Sequence, residues 1–174
     1  SSAAHGPAIA CLAVFAGLLA GLPLLHAASP EIALADAFYR SGALVFGGGH
    51  VVLPLLEAET VGRGWISMDT FLSGYGAAQA LPGPLFSFAA FLGAASTTGT
   101  SPIAGSLIAL LAVFLPGLLL VAGVLPLWAS IRTHGWMNRI TAGAGATVVG
   151  ILAAALYRPV LTSAVLSPVD ALIA

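Results

Sequence analysis

Apolar residues run along almost the whole chain, and polar and helix-breaking positions cut them into segments of two lengths. Residues 8–28 form one long apolar stretch, matching the roughly 20 residues needed to cross a hydrocarbon layer of about 30 Å. Ser29-Pro30-Glu31 follows as an N-cap, a first-turn proline and a first-turn acid, so a new helix is predicted there. That helix has roughly 15 residues, or about 22 Å, before Phe46-Gly47-Gly48-Gly49-His50 stops it, too short to cross alone. A second short helix is predicted over 51–61, with Pro54 in its first turn, where a missing N–H costs little. Gly62-Arg63-Gly64-Trp65 reads as an interfacial loop with an aromatic anchor. Ser67 caps a third short helix, with Asp69 in its first turn, which ends before Pro82-Gly83-Pro84; a fourth continues to Ser96. Ser101-Pro102 repeats the cap-and-proline signal and opens a long segment over 102–131, where Pro116 and Pro126 are the positions expected to kink. One more span over 138–157 and an incomplete last segment over 159–174 complete the pattern.

The predicted fold class is an all-α polytopic membrane protein, a single transmembrane domain over 1–174. It has two Gly/Pro-broken helices, over 31–61 and 67–97, and about four further membrane segments. Each broken pair either crosses as one interrupted helix or returns to its starting side as a re-entrant hairpin. If the pairs cross, Arg63, Arg132 and Arg139 share one face and the turns at Ser29 and Ser101 share the other, as the positive-inside rule prefers. If they fold back, Arg63 lies opposite the 132–139 loop, so the charge distribution favours crossing.

Composition agrees with a membrane domain: 59% of residues are hydrophobic, 6% are charged and the mean hydropathy is +1.06. The five basic residues are arginines at 40, 63, 132, 139 and 158, too sparse to hold a nucleic-acid backbone, so nucleic acid is excluded as a partner. Cys11 is the single cysteine, which excludes an intramolecular disulfide and a cysteine metal cluster and leaves it a packing role. Gly17 and Gly21 have the spacing of a helix-packing face. No Ser/His, Asp/Asp or His-x-x-x-His arrangement is present, so neither an enzyme, a metal site nor a cofactor is expected. The first apolar stretch has no basic flank and no cleavage pattern, and reads as a membrane helix, not a signal peptide. The start at Ser1 and the lone Asp170 near the end lead us to expect a piece or processed form of a longer protein.

The breaks are where chemistry is expected, because backbone groups freed at membrane depth persist only when they line a site or are buried in protein. Under either topology, helix N-termini begin near mid-membrane at about Val51 and about Leu85, and their unpaired N–H groups and partial positive charge favour an anion. Candidate substrate-binding residues are Gly47, Gly48, Gly49 and His50 at the first break, and Gln79, Pro82, Gly83 and Ser87 at the second. Tyr75 and Gln79 are spaced i,i+4 and face the proline break, where Gln79 can donate to an oxyanion or bond to a neighbouring helix. A charge at the bilayer centre costs about 2.5–3.5 kcal/mol on the lenient scale and one helix terminus returns at most about 2, so water or an arginine must contribute. Arg40 is the candidate, although its side chain should lean back toward Asp36, with which it can form an interfacial pair. Arg63, between glycines, is a more mobile alternative or a loop anchor. Glu57 ends an apolar run seven residues from His50, on roughly the same face, and is the candidate proton carrier.

Phe46-Gly47-Gly48-Gly49, Leu53-Pro54-Leu55-Leu56-Glu57, Gly64-Trp65 and Ala78-Gln79-Ala80-Leu81-Pro82-Gly83-Pro84, in this order and spacing, closely resemble the chromate transporter family. The likeness is specific over 33–93 and compatible over the hydrophobic remainder. It implies a carrier of chromate, with sulfate as a look-alike oxyanion, that exports its substrate across a bacterial inner membrane for chromate resistance, driven by protons or membrane potential. It also implies a partner, because members occur as long chains of two homologous halves or as short chains that pair. With a helix ahead of its glycine motif, this chain resembles the second half of a long member. The resemblance transfers no residue-level mechanism, and the roles above rest on physics. The alternative is a membrane subunit that transports nothing without its second half.

Overall fold

The computed structural model describes residues 5–45, 49–80, 87–131 and 135–155. Seven helices lie among them: α1 (His5–Leu25), α2 (Pro30–Ala43), α3 (Gly49–Thr60), α4 (Met68–Ala80), α5 (Ser87–Ala95), α6 (Pro102–Ile131) and α7 (Gly135–Ala155). Side-chain caps set three of the starts. Ser29 Oγ accepts from the Ile32 N–H at 3.3 Å, with Pro30 and Glu31 in the first turn of α2. Ser67 Oγ accepts from the Thr70 N–H at 3.1 Å, and Ser101 Oγ from the Ala104 N–H at 3.4 Å. Each cap satisfies a donor that the helix leaves open, worth about 1 kcal/mol.

Among the described residues two helices are long and apolar enough to cross a membrane, over Gly6–Leu25 and Pro102–Trp128. Only 6% and 28% of positions in their apolar windows are buried, so neither is the wrapped core helix of a soluble protein. Their outer faces carry Leu24, Ile103 and Leu111, at 83%, 77% and 68% exposure, as a lipid-facing surface does.

The short helices fold back in pairs, which corrects the expectation of crossing helices. Arg63, just beyond α3, lies 3.6 Å from Asp36 at the middle of α2, and Trp65 two residues on lines a cavity with Ser29 and Pro30, so α3 ends beside the start of α2. The Trp65 carbonyl, in the α3–α4 connection, accepts from both the Thr97 N–H and the Thr97 hydroxyl at 3.0 Å, so α5 ends where α4 starts. His26, Ser29, Trp65 and Thr98 line one cavity of about 300 Å³, which brings the α1–α2, α3–α4 and α5–α6 connections to one end. The pairs α2–α3 and α4–α5 are therefore hairpins. The charge distribution along the chain does not contain the tertiary contacts that place Arg63: it ion-pairs with Asp36 and Glu59 and lies over the Trp65 ring at 5.1 Å, which holds it at the shared end.

Packing fixes how deep the hairpins reach. A Cβ on Gly42, near the end of α2, would collide with the Val113 carbonyl oxygen, and its next neighbour is Pro116. Val113 lies about 17 Å along α6, close to the middle of its apolar span. Gly93 of α5 and Gly105 of α6 meet backbone to backbone, each leaving no room for a Cβ on the other. In lipid no hydrophobic force presses helices together, so such close approach supplies the contact energy. Around these points Leu34, Phe38, Val52, Leu56, Phe71, Phe88 and Leu92 form a buried core. Tyr39 ties α2 to α1, its hydroxyl donating to the Phe15 carbonyl at 3.1 Å, while Gly123 of α6 receives Leu12 and Ala8 of α1. α7 belongs to a separate unit, in which Thr147 donates to the Gly143 carbonyl at 2.9 Å.

Candidate functional site

The geometry centres on the hairpin tips. α3 starts at Gly49 and α5 at Ser87, each at the end of its hairpin away from the shared connections. Gly93 sits at the level of Gly105, and Ser87 lies six residues, about 9 Å, farther along, which places the start of α5 near the level of residue 111. The contacts of Gly42 with Val113 and Pro116 put the end of α2 at a similar depth. Two helix N-termini, with the partial positive charge of their open N–H groups, thus begin about midway along α6.

Of the expected binding residues, Gly47, Gly48, Pro82 and Gly83 lie outside the described residues. Gly49 and His50 open α3, and the His50 side chain likewise lies outside them. Ser87 is the exposed first residue of α5. Gln79, exposed in the last turn of α4, donates through Nε2 to the Tyr75 hydroxyl at 2.8 Å. The Tyr75 ring is half-buried and packs edge-on to Phe88, with centroids 6.0 Å apart at 62°. Phe88 is held in turn by Phe71 at 5.1 Å and Phe91 at 6.2 Å, so the second tip rests on an aromatic cluster joining both arms.

Arg40 is drawn away from the tip. Its guanidinium reaches back one turn to Asp36 Oδ1 at 3.3 Å, as the lean of helical side chains dictates, and its Nε is buried without a partner among the described residues. Asp36 is the residue the sequence reading underrated. Expected as half of an interfacial pair, it is instead 4% exposed in its side chain and shared between Arg40 and Arg63, with Glu59 also binding Arg63. The signal was available: an acid inside the apolar segment 32–45 must be paired or functional at membrane depth. Arg63 is a clamp between α2, α3 and Trp65, not a mobile loop cation.

Glu57 lies eight residues, about 12 Å, from the start of α3, half-buried on the arm that leads to Arg63. The buried hydroxyls of Ser41 and Thr60 are spent within their own helices, on the Ala37 and Leu56 carbonyls at 2.8 and 2.6 Å. They leave no donor for a ligand.

Comparison with known proteins gives the chain its relatives. Residues 32–174 match the model of a family described as "Chromate transporter". The chain is 30% identical over 115 residues to the "Chromate transport protein" of Pseudomonas aeruginosa, covering 66% of this chain and 27% of that protein. It is 34% identical over 129 residues to the protein of the same name in Cupriavidus metallidurans, covering 70% of this chain and 30% of the relative. An uncharacterized transporter of Bacillus subtilis is 36% identical over 118 residues, with 67% of this chain and 57% of the relative covered. The chain thus spans less than a third of the length of the two chromate transport proteins and somewhat over half of the shorter relative. No solved structure matches it. The glycine and proline motifs, the apolar spans and a match reaching from α2 to the last residue converge: the chain belongs to the chromate transporter family.

Proposed function

We propose that this chain carries chromate, with sulfate as a competing substrate, outward across a bacterial inner membrane as a multi-pass protein, driven by protons or membrane potential. The observation that carries this reading is the pair of hairpins whose returning helices, α3 and α5, begin about midway along α6. Backbone donors released there suit a tetrahedral oxyanion, since each of its oxygens accepts hydrogen bonds. In this reading the tip with Gly47, Gly48, Gly49 and His50 forms one side of the binding site, and the tip with Pro82, Gly83 and Ser87, which Gln79 borders, the other. Two helix ends do not offset the desolvation of a dianion alone. Arg40 reaches the substrate only by leaving Asp36, and water or a second half supplies the rest.

The partial coverage of the relatives supports a working unit that includes a second homologous half or a second copy of the chain. Counterflow of labelled chromate and sulfate in proteoliposomes, with the pH gradient varied, tests the whole reading. Exchange by this chain alone indicates a self-sufficient carrier. Exchange only when a second half is co-reconstituted indicates a subunit, and none under either condition rejects the transport function.

Glu57, between the first tip and the shared connections, is proposed as the proton carrier. Glu57→Gln should keep chromate binding while flattening the pH dependence of transport. A variant with the wild-type pH profile would remove Glu57 from that role.

A further inference from the structure

Resting on the oxyanion-carrier reading, we propose that Tyr75 is the side chain that donates a hydrogen bond to the substrate, and that Gln79 is a positioning residue acting through it. The sequence alone pointed to Gln79 as the donor, but the hydrogen bond reverses the roles. Gln79 Nε2 donates into the Tyr75 hydroxyl oxygen at 2.8 Å. A phenol oxygen has one proton and accepts through its lone pairs, so a Tyr75 that accepts from Gln79 keeps its own proton for another acceptor.

Three features fit that acceptor being a substrate. The Tyr75 ring is held edge-on to Phe88, itself wedged between Phe71 and Phe91, so the hydroxyl is positioned by packing. The pair stands at the end of α4: Gln79 is its penultimate residue, about 17 Å from its start and so about halfway through a hydrocarbon layer of about 30 Å. Finally, Gln79 is exposed on this chain's surface, although an amide facing lipid at that depth is costly. It is stable there when it borders a watered path, the route a carried anion needs. A neutral donor also suits a carrier, because it binds an anion without the grip of an arginine and lets it leave.

Chromate transport kinetics in proteoliposomes, using the same full chain and any partner the wild type requires, test the proposal, with thermal unfolding in detergent as the control. Tyr75→Phe keeps the ring and its packing, and is expected to raise the half-saturating chromate concentration about tenfold or more, with an unchanged unfolding temperature. Gln79→Met leaves the proton in place but undirected, and should raise it by a smaller factor, about two- to fivefold. Gln79→Glu turns the Tyr75 proton inward toward the new carboxylate, and should cost more than Gln79→Met. If Tyr75→Phe keeps wild-type half-saturation, or lowers only the unfolding temperature, the pair is a helix-packing contact and the proposal is overturned. A wild-type protein that moves no oxyanion would instead reject the carrier reading itself, so the two failures are distinguishable.

Discussion

Replacing both Arg40 and Arg63 with glutamine should destabilise the protein by about 3–5 kcal/mol, more than removing the acid they share. Asp36 is 4% exposed in its side chain and is held at 3.3 Å by Arg40 and at 3.6 Å by Arg63. Without both cations its carboxylate is stranded in a low-dielectric site with no counter-charge. Asp36→Leu leaves a milder defect, because Arg40 and Arg63 are 36% and 30% exposed and can turn to water, and Glu59 still engages Arg63. Unfolding of the purified protein in denaturing detergent should rank the double arginine variant below Asp36→Leu. The reverse order would mean that the carboxylate is not the buried member of the cluster.

Gly93→Val should be nearly as damaging, by a different route. A Cβ at Gly93 collides with the Gly105 carbonyl, which belongs to a helix backbone and cannot turn aside. α5 must then move away from α6, opening the core around Leu92 and Ala109, at a cost of about 1–3 kcal/mol or more. Gly76→Val serves as the matched control, because its added Cβ meets nothing within 4 Å. Yield of folded protein and its unfolding temperature should fall for Gly93→Val and hold for Gly76→Val. Equal behaviour of the two would refute the close α5–α6 crossing, and with it the depth assigned to the second tip.

The parts legible in the sequence are those fixed by local chemistry. Ser29, Ser67 and Ser101 announced helix starts because a hydroxyl followed by helix-compatible residues has an immediate use for its oxygen, and each makes that bond. The motif residues around the two breaks also sufficed to recognise the family. Hairpin direction was not legible, because it depends on where Arg63 finds its partners. Those partners, Asp36, Glu59 and Trp65, come from another helix, from α3 and from the loop itself, and together they hold the cation beside the first half of α2. Likewise Tyr75 and Gln79 were recognisable as neighbours four residues apart, but which donates to which is a property of their geometry.

The central claim is that α2–α3 and α4–α5 fold back, so that the α1–α2, α3–α4 and α5–α6 connections share one membrane face and the returning helices start at mid-depth. Single cysteines at Ala27, Met68 and Ser101 in a Cys11→Ala background, reacted with a membrane-impermeant maleimide in right-side-out and inverted vesicles, test it directly. The fold-back account predicts that all three are labelled from the same side. Labelling of position 68 from the side opposite to 27 and 101 would show that the first pair crosses the membrane, and would contradict it.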